Sequence, residues 1–327
     1  MRVLPVAAKN PSPAHMFELT ADKFPDKPAI IFEDRSLTYR QMDDAANQMV
    51  AIPPTFFLLY FIICDEFSFF FSTFFSLLSF FLSLQAHFFL GTGLKKGDIV
   101  ALDMDNRPEF LITWLGVAKA GGASALINHN LKDKSLIHCA KVSDAKFFVF
   151  GIELADKVAD VAGDLKQAGM RLFCQGGTVG FAESLDKPLQ QYPRTRPPKA
   201  GVSPLDCWAF IYTSGTTGLP KAALIRNSKF WGSSSFFATQ FGLTDKDVVY
   251  NCLPLYHSAG GMICVGMSFL SGATMVLKRK FSATAFWEDV RKYKVTAFQV
   301  RPNQITFRFY FLLDLLVCLT VCWWVLY

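Results

Sequence analysis

From residue 97 onward the chain repeats one beat: a short apolar run, a turn, a longer stretch with apolar residues on one face, and another apolar run. IVALDM reads as a strand, NRPEFLITWLGVAKAG as an amphipathic helix ending at Gly121, and ASALIN as the next strand. KFFVFG (146–151) and RLFCQGG (171–177) predict two more strands, with LADKVADVAGDLKQAG helical between them. Apolar strands separated by helices require cover on both faces, so the alternation demands an α/β fold with mostly parallel sheets flanked by helices. The same grammar opens the chain. Ser12 is placed to cap a helix reaching about Glu18, PAIIFED (28–34) and SLTY (36–39) predict two strands turning at Asp34 and Arg35, and Met42, Ala45, Ala46 and Met49 share one helical face. A basic, proline-rich connector, QYPRTRPPKAGVSP (191–204), is expected to cross the surface. Strand CWAFIYTS follows it, and from Lys246 to Gln299 strand, glycine-rich turn, buried helix, strand, helix and strand succeed one another.

Two stretches break the pattern. Pro53 and Pro54 end the second helix, and a phenylalanine-rich run without turn residues extends to Ala86; a second aromatic and aliphatic run begins near Val300. They account for much of the excess in a chain with 34 Phe among 327 residues. Phe67 to Leu84 carries no charge and is barely long enough to cross a hydrocarbon core. Its serines at 68, 72, 76, 79 and 83 would line one helical stripe suited to packing against another membrane helix. Phe309 to Tyr327 is also long enough, with Asp314 inside it. Three readings stay open: a membrane or lipid-contact insertion, a translated pyrimidine-rich intron, and a buried core helix. In either of the first two, exposed phenylalanine runs would drive the chain into a membrane or into aggregates.

Charge narrows the partners. Lys and Arg total 33 against 27 acidic residues, net +6, but they are scattered rather than gathered in a stripe, so nucleic-acid binding is not expected. Eight cysteines without a CxxC pair, and an opening too poor in apolar residues for a secretory signal, predict a reduced, cytosol-facing protein with no structural metal.

The chemistry concentrates in TSGTTGLPK. A loop that approaches a polyphosphate needs bare N–H groups, hydroxyl donors, a cation and glycines where side chains would collide. Thr213, Ser214, Thr216 and Thr217 supply donors, Gly215 and Gly218 allow close approach, Pro220 stiffens the exit and Lys221 brings charge. The lysine stands three residues after Gly218, which is not the Walker spacing. The bland alternative is a solvated loop between a strand and a helix. In PLYHSAGG, His257 taken alone is a hydrogen-bonded structural residue, and its adjacency to Ser258 makes a Ser/His hydrolase pair awkward. Asn106-Arg107-Pro108-Glu109 reads as a helix start with Arg107 and Glu109 on its surface.

IYTSGTTGLPKAA (211–223) resembles the phosphate-loop signature of the AMP-forming, adenylate-forming synthetases. With NRPEF (106–110), ALINHNL (125–131) and CLPLYHSAG (252–260), the resemblance narrows to fatty acid transport proteins, also called very-long-chain acyl-CoA synthetases, over residues 12–51 and 87–299. It implies ATP-dependent activation of a long- or very-long-chain fatty acid: the carboxylate attacks the α-phosphate, pyrophosphate leaves with Mg²⁺, and CoA takes the acyl group from the adenylate. On that resemblance Thr213, Ser214, Gly215, Thr216, Thr217 and Gly218 hold the β- and γ-phosphates, and Lys221 is a mobile positive clamp. Thr217, Lys221 and His257 become the catalytic candidates, with Tyr256, His257 and Gly260 beside the adenylate and the acyl entrance. Family habit implies contact with membrane lipid at the endoplasmic reticulum, peroxisome or plasma membrane.

The resemblance stops at both aromatic runs. The division expected is therefore a partial AMP-binding domain at 1–51 and 87–299, a hydrophobic insertion at 52–86 and an aberrant tail at 300–327. The family's adenine segment with its Mg²⁺-binding glutamate, its ribose aspartate and its small C-terminal domain with the adenylation lysine have no matching positions, so the chain as written is expected to be inactive or nearly so. The rival readings are a non-catalytic ATP- or acyl-binding membrane module, and an adenylating enzyme for another carboxylic acid.

Overall fold

A computed structural model describes residues 12–49, 88–186, 194–213 and 218–299. The readings attached to the aromatic runs at 52–86 and 300–327 fall outside these residues. Among the described residues no helix is long and apolar enough to cross a membrane.

In chain order the elements are α1 (Pro13–Lys23), β1 (Pro28–Phe32), β2 (Arg35–Thr38), α2 (Tyr39–Gln48), α3 (Phe88–Gly91), β3 (Ile99–Asp103), α4 (Pro108–Lys119), β4 (Ala123–Leu126), α5 (Asp133–Val142) and β5 (Ala145–Gly151). Then come α6 (Ala155–Ala159), α7 (Ala162–Gln167), β6 (Arg171–Gln175), β7 (Glu183–Ser184), β8 (Cys207–Thr213), β9 (Lys221–Arg226) and α8 (Asn227–Gln240). The last are β10 (Val248–Asn251), α9 (Val265–Ser271), β11 (Thr274–Leu277), α10 (Phe286–Tyr293) and β12 (Ala297–Gln299). A first sheet has the order β12-β10-β11-β1-β2 and a second the order β9-β8-β4-β3-β5-β6-β7. All neighbours run parallel except β1 with β2 and β8 with β9.

Burial explains the parallel arrangement. Every residue of β4 and of β11 is buried, as expected of strands covered on both faces. One apolar cluster joins Ile30 and Met275 of the first sheet to Val100 and Leu126 of the second through Phe17, Met42 and Trp114 of the intervening helices. Because α4 lies within that cluster, nearly all its side chains are buried, where the sequence suggested an amphipathic helix. Its last residue, Lys119, keeps its charge inside by placing Nζ 2.6 Å from Glu18, 2.7 Å from Asp43 and 2.8 Å from Asn47 Oδ1. Asp43 also accepts from Arg196 of the basic connector at 2.8 Å, and Arg196 donates to Asp22. The connector is thus fastened to α1 and α2 rather than lying loosely over them. The hydrogen bond from Arg196 holds the Asp22 carboxyl below its ordinary range.

Several boundaries differ from expectation for local reasons. Ser12 does cap α1, accepting from His15 N–H, but the helix continues to Lys23 because Phe17, Thr20 and Ala21 are buried and the Thr20 hydroxyl donates to Phe269 O at 2.7 Å. The first hairpin turns at Glu33 and Asp34, one residue early, with Glu33 at φ 52°. The single helix expected between β5 and β6 is two short ones, broken at Asp160–Val161. Among the elements that went unread are α5, β9, and α8, whose buried positions Asn227, Phe230 and Ser234 include only one apolar residue and so show no helical apolar stripe.

Candidate functional site

The predicted phosphate loop is the tip of an antiparallel hairpin. Thr213, the last residue of β8, pairs with Lys221, the first of β9, so the loop returns along the sheet edge instead of entering a helix. Ser214, Gly215, Thr216 and Thr217 lie outside the described residues; Thr213, Gly218 and Lys221 are described and exposed. Gly218 has φ 87° with nothing within 4 Å of where a Cβ would stand, so glycine is needed there for its backbone. Both arms are pinned from one side by α5. Tyr212 donates its hydroxyl to Cys139 O at 2.6 Å, and the His138 ring Nε2 lies 3.0 Å from Pro220 O. Burial pushes the Tyr212 phenol above its ordinary value, so it remains a donor at physiological pH. Lys221 is therefore anchored at its backbone by the ladder, and only its side chain is free to act as the expected clamp.

The second predicted constellation leaves the first sheet at the end of β10. Asn251 is fully buried; its Oδ1 accepts from Leu253 N–H and its Nδ2 donates to Gly260 O, both at 3.2 Å. From Ser258 to Cys264 the chain forms a wide π-type helix, with His257 as its N-cap accepting from Ala259 N–H at 3.4 Å. A Cβ on Gly260 would stand 2.4 Å from Pro254 O, and one on Gly261 2.1 Å from Leu255 O. These glycines let the helix lie directly on the loop that precedes it. His257 is exposed and Tyr256 half-buried, its hydroxyl accepting from Asn130 Nδ2 at 3.4 Å and its ring perpendicular to that of His129 at 5.2 Å. Gly260 is buried, so it packs the loop rather than lining an open surface.

Both constellations stand at the carboxyl ends of parallel strands, the edge at which open α/β sheets bind ligands. Leu126 of β4 pairs with Ile211 of β8, so the hairpin tip and the Ile127–Asn130 segment leave the second sheet together. Asn130 and His129 of that segment are the residues that touch Tyr256.

Beneath this edge runs a charge network of which the sequence reading singled out only Arg107 and Glu109. Asp103 at the end of β3 is fully buried with Lys157 Nζ 2.8 Å from Oδ2; burial outweighs that cation and pushes its pKa up to about 6. Lys157 also donates to His129 O. His129 Nδ1 lies 3.5 Å from Asp105, yet desolvation keeps its pKa below the ordinary histidine value. Arg107 and Glu109, expected on the surface, are mostly buried and paired: Arg107 reaches Glu109 and Glu153 at 2.9 Å, and Glu109 also takes Arg35 at 2.8 Å. Asn106, beside them, is buried and hydrogen-bonds to the loop before Tyr256. A polar residue directly following an apolar strand, as in ALDMDN and ALINHN, was the available signal for Asp103, Asn106 and His129.

Residues 83–307 match the AMP-binding enzyme family. The chain belongs to that family. It is 43% identical over 222 residues to long-chain fatty acid transport protein 1 of Bos taurus, an overlap of 65% of this chain and 34% of that protein. It is 36% identical over 290 residues to long-chain fatty acid transport protein 2 of Rattus norvegicus, covering 87% of this chain and 41% of the relative. The chain therefore spans well under half the length of these relatives. Among solved structures, a long-chain-fatty-acid-CoA ligase from Archaeoglobus fulgidus superposes with a TM-score of 0.68 at 21% identity, over 87% of this chain and 50% of that one. The α/β arrangement of mostly parallel sheets flanked by helices is thus the fold of this AMP-binding family member.

Proposed function

We propose that this chain carries the phosphate-binding and acid-binding parts of a ligase that uses ATP to activate long- or very-long-chain fatty acids to acyl-CoA through an acyl-adenylate. The observation that carries the reading is that the segment after β4, which leaves the second sheet beside the strand leading into TSGTTGLPK, touches Tyr256 of PLYHSAGG through Asn130, in a member of the AMP-binding family with 43% identity to a long-chain fatty acid transport protein. In this reading Thr213, Ser214, Gly215, Thr216, Thr217 and Gly218 surround the β- and γ-phosphates with N–H and hydroxyl donors. Lys221, at the root of the hairpin, offsets negative charge as pyrophosphate departs. His257 and Tyr256 line the place where the carboxylate meets the α-phosphate, and Gly260 holds their loop in shape. Such a reaction asks the protein for placement of the two reactants and for donors aimed at developing charge.

Mg²⁺ would travel with the nucleotide, neutralising phosphate charge. Among the described residues no group of three or more His, Cys, Asp or Glu side chains is arranged to hold a metal, so no protein ligand for it is assigned. CoA is the acyl acceptor of the proposed reaction and is likewise given no residues. Residues 1–51 and 87–299 form the AMP-binding portion, with 52–86 an insertion in it and 300–327 a separate tail. In this reading a long-chain acid substrate would be met at a membrane surface facing the cytosol. Titrations with a palmitoyl sulfamoyl-adenosine, whose sulfamoyl group stands in for the acyl phosphate, and with ATP test the proposal. Mimic binding that weakens on His257→Ala, with ATP binding that weakens on Lys221→Ala, supports it; mimic binding untouched by the first substitution and ATP binding untouched by the second contradict it.

A further inference from the structure

We infer that Asn106 is a positioning residue that sets the direction in which Tyr256 and His257 face the acid, by joining the carboxyl edges of the two sheets. The inference rests on the acyl-adenylate reading of that edge. Asn106 follows β3 of the second sheet, and its side chain is 1% exposed. Its Nδ2 donates to Leu253 O at 2.9 Å and to Lys278 O at 3.0 Å, and its Oδ1 accepts from Leu255 N–H at 2.9 Å. All three partners belong to the first sheet's edge: Leu253 and Leu255 follow β10, and Lys278 follows β11.

The need for such a residue follows from the backbone of the loop. Residues 252–257 are neither helix nor strand, so their buried N–H and C=O groups have no ladder to satisfy them. Pro254 supplies no N–H of its own. Asn106 bonds the carbonyl before it and the N–H after it, as a neighbouring strand would, and the next two residues are Tyr256 and His257. A side chain that must both donate twice and accept once here can only be an amide; a carboxylate cannot donate and a hydroxyl cannot reach three partners. Asn106 is itself held, because the adjoining Arg107 is locked by Glu109 and Glu153. Lys278, the third partner, receives its own backbone support from Asn251 O, so both sides of the junction are fixed.

The test measures affinity of the full chain for ATP and for the palmitoyl sulfamoyl-adenosine, with melting curves for each variant. Asn106→Ala is expected to weaken the acyl-adenylate mimic by about tenfold, the scale of one or two buried hydrogen bonds, while ATP affinity stays within about twofold. Asn106→Asp keeps the shape and separates positioning from bulk stability. Its carboxyl can accept from Leu255 N–H at any pH but can donate to Leu253 O or Lys278 O only when protonated. Mimic affinity of that variant, relative to the unmutated chain, is therefore expected to recover as pH falls from 7.5 to 5. The inference is overturned if the alanine variant binds the mimic normally, if ATP and mimic weaken equally in step with the melting temperature, or if the aspartate variant shows no recovery. An unmutated chain that fails to bind the mimic sinks the functional reading and the inference together; normal binding by both variants sinks the inference alone.

Discussion

The described residues of the β8–β9 hairpin end, Thr213 and 218–221, are mostly exposed and its two arms are fastened by α5; between Asn251 and Gly261 the chain turns inside the protein, bracketed by two buried asparagines and pressed against a helix through two glycines. In the first segment Gly218 has open space around it. The second spends nearly every polar group on holding one shape, so that His257 and Tyr256 emerge in a fixed direction. In the proposed function the first would grip phosphate and the second would wall the acid, and the difference between them can be probed by making like changes in both places.

The largest effect is expected from Gly261→Ala. Its Cβ would stand 2.1 Å from Leu255 O, backbone that cannot swing away, so a loss of about 3 kcal/mol or more is expected in chemical denaturation. A loss under 1 kcal/mol would show that the loop is softer than its packing implies.

Next is the acidic support under the edge. The folded pKa of Asp103 near 6 exceeds its ordinary 3.8, so the native state holds a proton that the unfolded chain releases. Its contribution to stability is full below about pH 4 and is lost as pH rises through 6, a change of about 3 kcal/mol. Asp103→Asn removes this slope. The stability difference between the unmutated chain and the variant, followed from pH 3.5 to 7, should shift by that amount in favour of the variant, whatever constant offset the lost pairing with Lys157 adds.

Smaller changes belong to the hairpin. Tyr212→Phe deletes one hydrogen bond to Cys139 O and should cost about 1 kcal/mol of stability. Gly218→Ala meets open space and pays only for a positive φ, about 1 kcal/mol or less in the same denaturation assay. If it proves as damaging as Gly261→Ala, the contrast between the two segments fails.

The sequence disclosed the two segments unequally. Strand and helix alternation was legible because buried parallel strands must be apolar throughout, and TSGTTGLPK was legible because its donors, glycines and cation are consecutive. That the motif ends in β9 was not legible, since ALIR is too short an apolar run to distinguish a strand from the start of a helix. Asn106 was read as a helix start, which its neighbours Pro108 and Glu109 do provide; what it binds lies 147 residues or more away, and no local pattern records that. Arg107 and Glu109 were misplaced for the same reason, because their partners Glu153 and Arg35 come from other elements. His257 was read together with Tyr256, but the shape of their loop depends on Asn251, Gly260 and Gly261 acting together.

The central claim is that the β8–β9 hairpin holds nucleotide phosphate. A calorimetric titration of the chain with ATP, alongside Lys221→Ala and Thr217→Ala, tests it most directly. Each substitution should weaken binding by about 1 to 3 kcal/mol, as expected for loss of a charge-assisted hydrogen bond, without lowering the melting temperature. Equal ATP affinity in all three proteins would contradict the assignment.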